Sequence, residues 1–314
     1  SQRSLLEKRC QRPLIVTAVS ARNKEVKRGI ALDDYVWFDD ALSLATKADA
    51  DVIIELIGGS EGVARHVCEA AIDIGRHVVT ANKALIATAG TELALRAEGN
   101  NVTLGYEAAV CGGMPVIKAL REGLAGNRIS RLHGILNGTC NYILSNMRET
   151  GREFADVLLE AQQLGYAEVD PSLDIDGVDS AHKLAILTSL VFGCKVDFDS
   201  VYIEGIRNIN TLDISYADEL GYRIKLLGIT ERSDGGVYQR VHPTMVPKDT
   251  PIAGVEGIFN AVVSEGDFSG TMMMEGAGAG AGPTASAIVG DIVDIACGRH
   301  TPTFGVPADD LTTF

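Results

Sequence analysis

The sequence predicts an α/β protein in two parts: a parallel sheet covered by helices, then an α+β region whose sheet is largely antiparallel. Three observations carry this reading. In the first third, short runs rich in β-branched residues alternate with stretches of helical spacing. Towards the carboxyl end, strand-like runs follow one another with no helix between them. Finally, 314 residues with 46% hydrophobic content favour two cores over one.

Taken in order, residues 14–21, 51–57, 77–81 and 102–106 read as strands, with helical spacing over 61–74 and 85–98. Near-continuous apolar strands separated by helices mean a sheet buried on both faces. Such sheets bind ligands beyond the carboxyl ends of their strands. Here those ends are Ser20 to Asn23, Gly58-Gly59-Ser60, Ala81-Asn82-Lys83 and Glu107-Ala108-Ala109. From about Cys111 the pattern changes to helices over 116–124, 141–150, 154–164 and 178–191, then strands over 237–246, 257–263 and 271–274. A last helix over 283–297 opens on Pro283, directly after the glycine-rich run 276–282. The division this suggests is a Rossmann-type nucleotide-binding domain at 1–110 with 283–314, and a substrate-binding and dimerisation domain at 111–282.

Composition removes several function classes. Lys and Arg number 28 against 42 Asp and Glu, and the net charge of −14 repels nucleic acid and anionic membranes. No apolar run is long enough to span a membrane, and residues 1–10 are too charged for a secretory signal, so a cytoplasmic protein is expected. The six cysteines show no C-x-x-C spacing, which points to reduced, mostly buried thiols rather than a zinc site or disulfides.

Chemistry concentrates in two places. Lys83 follows a buried strand at the ligand-binding edge, although a lysine there is ordinarily a solvated loop residue. The segment from Gly165 to Lys183 packs Glu168, Asp170, Asp174, Asp176 and Asp179 ahead of a lysine. Asp179 and Lys183 are i and i+4 on a helix, a spacing that an ordinary surface ion pair also explains. Acids this dense repel one another unless a cation such as a substrate ammonium lies among them, and the spacing fails the EF-hand pattern for a metal. An aldehyde–alcohol couple needs a hydride carrier, a proton-transferring group and acids that orient the substrate. Lys183 can serve if burial or a neighbouring lysine, such as Lys83, lowers its pKa. The glycine-rich run allows close backbone approach to a ligand, or a flexible connection. Asn137-Gly138-Thr139 reads as a turn and helix cap. His182, beside Lys183, points away from it and packs or faces solvent.

Six blocks together resemble homoserine dehydrogenase: residues 55–59 (ELIGG), 77–87 (HVVTANKALIA), 107–129, 134–144 (GILNGTCNYIL), 165–187 and 278–286 (GAGAGPTAS). The resemblance runs in register over nearly the whole chain, and the acidic segment ending in Lys183 is its most specific part. It implies NAD(P)-dependent, reversible reduction of L-aspartate 4-semialdehyde to L-homoserine, in threonine and methionine biosynthesis. By the same resemblance, Lys183 is the proton donor, Lys83 a second active-site lysine near the nicotinamide, and Glu168, Asp174 and Asp179 hold substrate. Gly165 and Gly280 line the cofactor, to which the strand-end glycines Gly58 and Gly59 are added. Glu107, Val110, Gly112 and Met114 enclose a monovalent cation, typically sodium, partly through backbone carbonyls.

Relatives open with a strand and a G-x-G-x-x-G loop, whereas residues 1–8 resemble the helix that follows that loop. The strand and loop are expected upstream of Ser1, and threonine feedback through an appended domain is not assumed. Arg22, with Lys24, follows a strand where NAD-preferring proteins place an acid, which favours NADP over NAD. A homodimer is expected. Two alternatives are an enzyme for another amino-acid aldehyde, and a catalytically impaired homologue or partner subunit lacking the phosphate-binding loop.

Overall fold

In the computed structural model, residues 2–313 are described. Helix α1 (Arg3–Cys10) leads into β1 (Ala18–Ser20), β2 (Val36–Phe38) and α2 (Ala41–Lys47), which Asp40 caps by accepting from the Ser43 N–H at 2.7 Å. Then come β3 (Val52–Glu55), α3 (Val63–Asp73), β4 (His77–Thr80), α4 (Lys83–Gly99) and β5 (Leu104–Gly105). Every pairing among these strands is parallel, as predicted. They form two pieces rather than one sheet: β1 pairs β2, and β3, β4 and β5 lie in that order. No described strand bonds β1 to β3, and Ile15, Val16, Ile54 and Leu56 are exposed along those stretches. The strand predicted over 14–21 is accordingly only Ala18–Ser20, because Leu14 to Val16 find no ladder to join.

The second half holds α5 (Val116–Lys118), which continues through one π turn over Ala119–Gly123, then β6 (Ile129–Ile135), α6 (Gly138–Thr150) and α7 (Phe154–Gln163). It continues with α8 (Ser172–Ile175), α9 (Val178–Phe192), β7 (Tyr202–Ile203), α10 (Thr211–Glu219) and the long hairpin β8 (Tyr222–Ser233) and β9 (Gly236–Pro247). Strands β10 (Phe259–Gly266) and β11 (Gly270–Ala277) and helix α11 (Ala281–Ala296) complete it. The six strands lie in the order β11-β10-β6-β8-β9-β7, antiparallel except for the β7–β9 edge. The predicted mixture of a parallel region and a largely antiparallel sheet therefore holds.

Helix α9 crosses that sheet and is buried on nearly every side, packed with Leu184, Ile186 and Leu187 in a core that also takes in Leu93 of α4 and Leu226 of β8. Two details differ from expectation. Helix α11 begins at Ala281 with Gly280 as its cap, so Pro283 falls at the third position, where its missing N–H still costs nothing. Only Gly276 and Ala277 of the glycine-rich run belong to β11, and the bare backbone of the run meets side chains. A Cβ on Gly276 would lie 2.8 Å from Met114 Cγ, and one on Gly278 would lie 2.1 Å from Asn260 Nδ2. Among the described residues, no helix is long and apolar enough to cross a membrane.

Candidate active site

The carboxyl ends of β3 and β4 are organised by a buried carboxylate. Glu55 Oε1 accepts from the N–H groups of Ile57 and Gly58, at 2.6 and 3.1 Å, while Oε2 accepts from the Thr80 hydroxyl at 2.5 Å. These bonds hold the turn through Gly58 and Gly59, whose φ values of 85° and 86° suit only glycine. Asn82 extends the ring, donating to the Gly59 carbonyl at 2.7 Å and accepting from the Leu85 N–H at 3.1 Å as the cap of α4. Lys83 is thus the first residue of a helix rather than a loop residue. A cation opposes the helix dipole there, so a nearby anion is needed to hold it.

Asp179, in the first turn of α9 and 6% exposed, supplies that anion. Its Oδ1 lies 2.9 Å from Lys83 Nζ and its Oδ2 2.8 Å from Lys183 Nζ. Lys183 also donates to the carbonyl of Leu136, at the end of β6, at 2.6 Å. The i, i+4 pair is therefore an interior one, 8% exposed at Lys183, not a solvated surface bridge. Its electrostatics also differ from the sequence expectation. Burial is the largest influence and works to lower the Lys183 pKa, but its neighbours, Asp179 first and Asp174 with it, together outweigh burial and the net direction is upward. Asp179 is itself destabilised by burial, yet Lys183, Lys83 and Asn137 together hold it well below the usual carboxylate range. One acid clamping two lysines keeps Lys183 charged, in the state of a proton donor.

Asn137, read from sequence only as a cap, does cap α6 and also donates to Asp174 Oδ1 at 2.8 Å and Asp179 Oδ2 at 2.9 Å. Burial raises the Asp174 pKa, against the pull of that amide. The structure does not bring Glu168 into this cluster. Its side chain is exposed and joins no hydrogen bond or ion pair among the described residues, while its carbonyl accepts from Gln162 at 3.0 Å. Gly165, at φ 76°, ends α7 in a left-handed turn, and Gly280, at φ 111°, starts α11. Arg22 is exposed just past β1, and Lys24 sits over the Trp37 ring, 5.6 Å from its centroid. His182 packs on Phe198 with ring centroids 4.5 Å apart and, among the described residues, hydrogen-bonds none of the cluster's side chains. Five cysteines are buried and Cys297 is exposed, all free.

Beside the cluster, the segment from Glu107 to Met114 curls through Cys111, a buried non-glycine residue at φ 52° whose strain the surroundings must hold. Asn260 Nδ2 contacts its sulfur at 3.5 Å and the Leu136 carbonyl at 3.0 Å, joining this segment to Lys183. Glu107 is buried, and although its two oxygens accept from Ile117 and Lys118 N–H groups at 2.9 and 3.0 Å, burial pushes its pKa up to about 7. Among the described residues, the carbonyls of buried Val110 and Gly112 accept no hydrogen bond, whereas that of Met114 accepts from Val116 at 2.8 Å. Two unpartnered carbonyls in the same short segment as a carboxylate that burial destabilises are oxygen donors of the type a hard cation takes. Residues missed from sequence are Glu55, Asn82 and Asn260, all of which look locally like strand or turn residues.

Two family models match the chain: one described as homoserine dehydrogenase, over residues 115–293, and one described as homoserine dehydrogenase, NAD binding domain, over residues 2–107. Among curated relatives, homoserine dehydrogenase of Neisseria gonorrhoeae is 49% identical over 93% of this chain and 66% of its own length. That of Pseudomonas aeruginosa is 54% identical over 82% of this chain and 59% of its own. The chain thus spans less than two thirds of the length of these relatives. A crystal structure of a homoserine dehydrogenase from Thiobacillus denitrificans superposes with a TM-score of 0.93 at 45% identity, covering 98% of this chain and 73% of that one. A hyperthermophilic archaeal homoserine dehydrogenase in complex with NADPH gives 0.76 at 29% identity, over 88% of this chain and 80% of that one. With models matched across both halves and an acid–lysine cluster where they meet, the chain belongs to the homoserine dehydrogenase family.

Proposed function

We propose that the protein is an NAD(P)H-dependent homoserine dehydrogenase, reducing L-aspartate 4-semialdehyde reversibly to L-homoserine in threonine and methionine biosynthesis. The observation that carries this is the Asp179 carboxylate holding Lys83 and Lys183, with Asp174 bridged to it by Asn137. When bound, the reduced nicotinamide supplies a hydride to the aldehyde carbon. Lys183 then gives its proton to the resulting alkoxide oxygen, and its raised pKa keeps that proton available at neutral pH. Lys83 orients the same oxygen from the mouth of the site, while Asp174 and Glu168 hold the substrate ammonium, Glu168 reaching it through its exposed loop. Gly58, Gly59, Gly165 and Gly280 let the nucleotide approach backbone, and Arg22 with Lys24 favours the 2′-phosphate of NADP. Turnover of a panel of amino-acid aldehydes with NADPH and NADH tests this reading. Preference for aspartate 4-semialdehyde supports it; preference for another aldehyde, or no nucleotide oxidation, overturns it.

The same reading has the nucleotide-binding domain at 1–110 with 283–314 and the substrate-binding and dimerisation domain at 111–282. Its support is that Ala287, Ile288 and Ile295 of α11 pack on Val79 of β4, so the chain returns to the first sheet at its end. A monovalent cation, sodium by preference, would be held by Glu107 with the carbonyls of Val110, Gly112 and Met114, and would offset the buried charge. The active form is a cytoplasmic homodimer, for which the exposed Met272 on edge strand β11 and the exposed Phe259 and Phe268 beside it supply apolar surface.

A further inference from the structure

We propose that Asn137 is a positioning residue that acts on the substrate through Asp174, with the cap of α6 fixing which way its amide faces. The role rests on the substrate reading above. Asn137 precedes α6 in extended backbone, φ −129° and ψ 116°, and is 5% exposed. Its Oδ1 is committed to the Cys140 N–H at 2.8 Å. An amide carries its acceptor and its donors on opposite sides, so the cap turns Nδ2 towards the acids. There it donates to Asp174 Oδ1 at 2.8 Å and Asp179 Oδ2 at 2.9 Å, joining residues of α8 and α9 whose charges repel.

The two acids depend on it unequally. Asp179 keeps both lysines without Asn137. Asp174 has Asn137 as its side-chain partner among the described residues, which pins Oδ1 and leaves Oδ2 for a substrate ammonium. The charged groups around Asp174 are Asp179, Lys183 and Lys83, with Asp176 next to it on Arg207. Removing the amide donor therefore frees the Asp174 carboxyl to rotate and to take up a proton more easily, without unseating Lys183.

Asn137→Ser tests this, because serine keeps a capping oxygen and lacks the amide donor. The expected result is a KM for aspartate 4-semialdehyde raised about tenfold, with kcat changed less than about threefold and the nucleotide KM unmoved. In an Asp174→Asn background, adding Asn137→Ser raises KM no further. Asn137→Asp, which also caps, places a third carboxylate against the pair and weakens substrate binding more than serine does. An unchanged KM in Asn137→Ser, or the same factor with and without Asp174, overturns the role and leaves Asn137 a cap whose loss lowers only the unfolding temperature. If the unsubstituted protein fails to turn over the semialdehyde, the substrate reading and this role fall together; if it is active, the substituted kinetics judge the role alone.

Discussion

Asp179→Asn keeps the shape of the side chain and removes the charge that holds two lysines. The two ion pairs it breaks differ in weight. Lys83 has a side chain 41% exposed, and a pair that open is worth at most about 1 kcal/mol. Lys183 and Asp179 have side chains only 10% and 7% exposed, and stranding one buried partner costs about 3–5 kcal/mol. Urea unfolding at neutral pH should show a loss in that range. Lys183→Met in the same chain removes the stranded ammonium and recovers most of the loss. The folded pKa of Asp179 lies below its unfolded value, so its contribution is complete above the unfolded pKa and disappears as pH falls through the folded one. For Lys183, raised in the fold, the contribution is complete below the unfolded pKa and disappears as pH rises through the folded one. In the unsubstituted protein these contributions are therefore constant through the neutral range, whereas in Asp179→Asn burial lowers the stranded Lys183, so the loss shrinks as pH rises towards that lowered pKa. A loss below about 1 kcal/mol, or a double variant no more stable than Asp179→Asn, would refute the interior clamp.

Burial raises Glu107 from 4.5 to about 7, so without an ion the stability falls as pH rises across that window. Sodium should flatten the fall relative to tetramethylammonium in thermal unfolding, and Glu107→Gln should remove both the fall and the sodium effect; a slope indifferent to sodium contradicts the ion assignment. Lys83→Met relieves a cation at a helix start, so the unfolding temperature stays level or rises while turnover drops more than about tenfold; a clear loss of stability would make Lys83 structural instead. Arg22→Ala should raise the KM for NADPH about tenfold and leave that for NADH unchanged, and an equal effect on both would remove Arg22 from the 2′-phosphate.

Local geometry explains what could be read in advance. A spacing of four residues on a helix brings Asp179 and Lys183 together whatever surrounds them, and strand-end glycines and Lys83 fall at the edge where parallel sheets bind ligands. Burial does not follow from spacing, and it turned an apparent surface pair into the interior clamp, in which the Asp179 carboxylate rather than burial sets the upward direction of the Lys183 pKa. Tertiary contacts were equally hidden. The Lys83–Asp179 pair joins α4 to α9, and Asn137, a plausible turn residue, reaches two helices at once. Helix α10 went unread although Asn210 and Asp213 form a reciprocal capping box. Strand β8 was missed because Arg223 and Lys225 interrupt its apolar pattern. Lys225 is nevertheless 1% exposed, and it donates to Asn141 Oδ1 at 3.0 Å and to the Val255 carbonyl at 2.5 Å.

Steady-state kinetics of Lys183→Ala with NADPH and aspartate 4-semialdehyde tests the central assignment most directly. If Lys183 supplies its proton to a substrate already held by Asp174 and Glu168, kcat falls at least about a hundredfold while KM stays close to that of the unsubstituted protein. Near-normal turnover, or losses that appear equally in kcat and in substrate affinity, would contradict Lys183 as the proton donor.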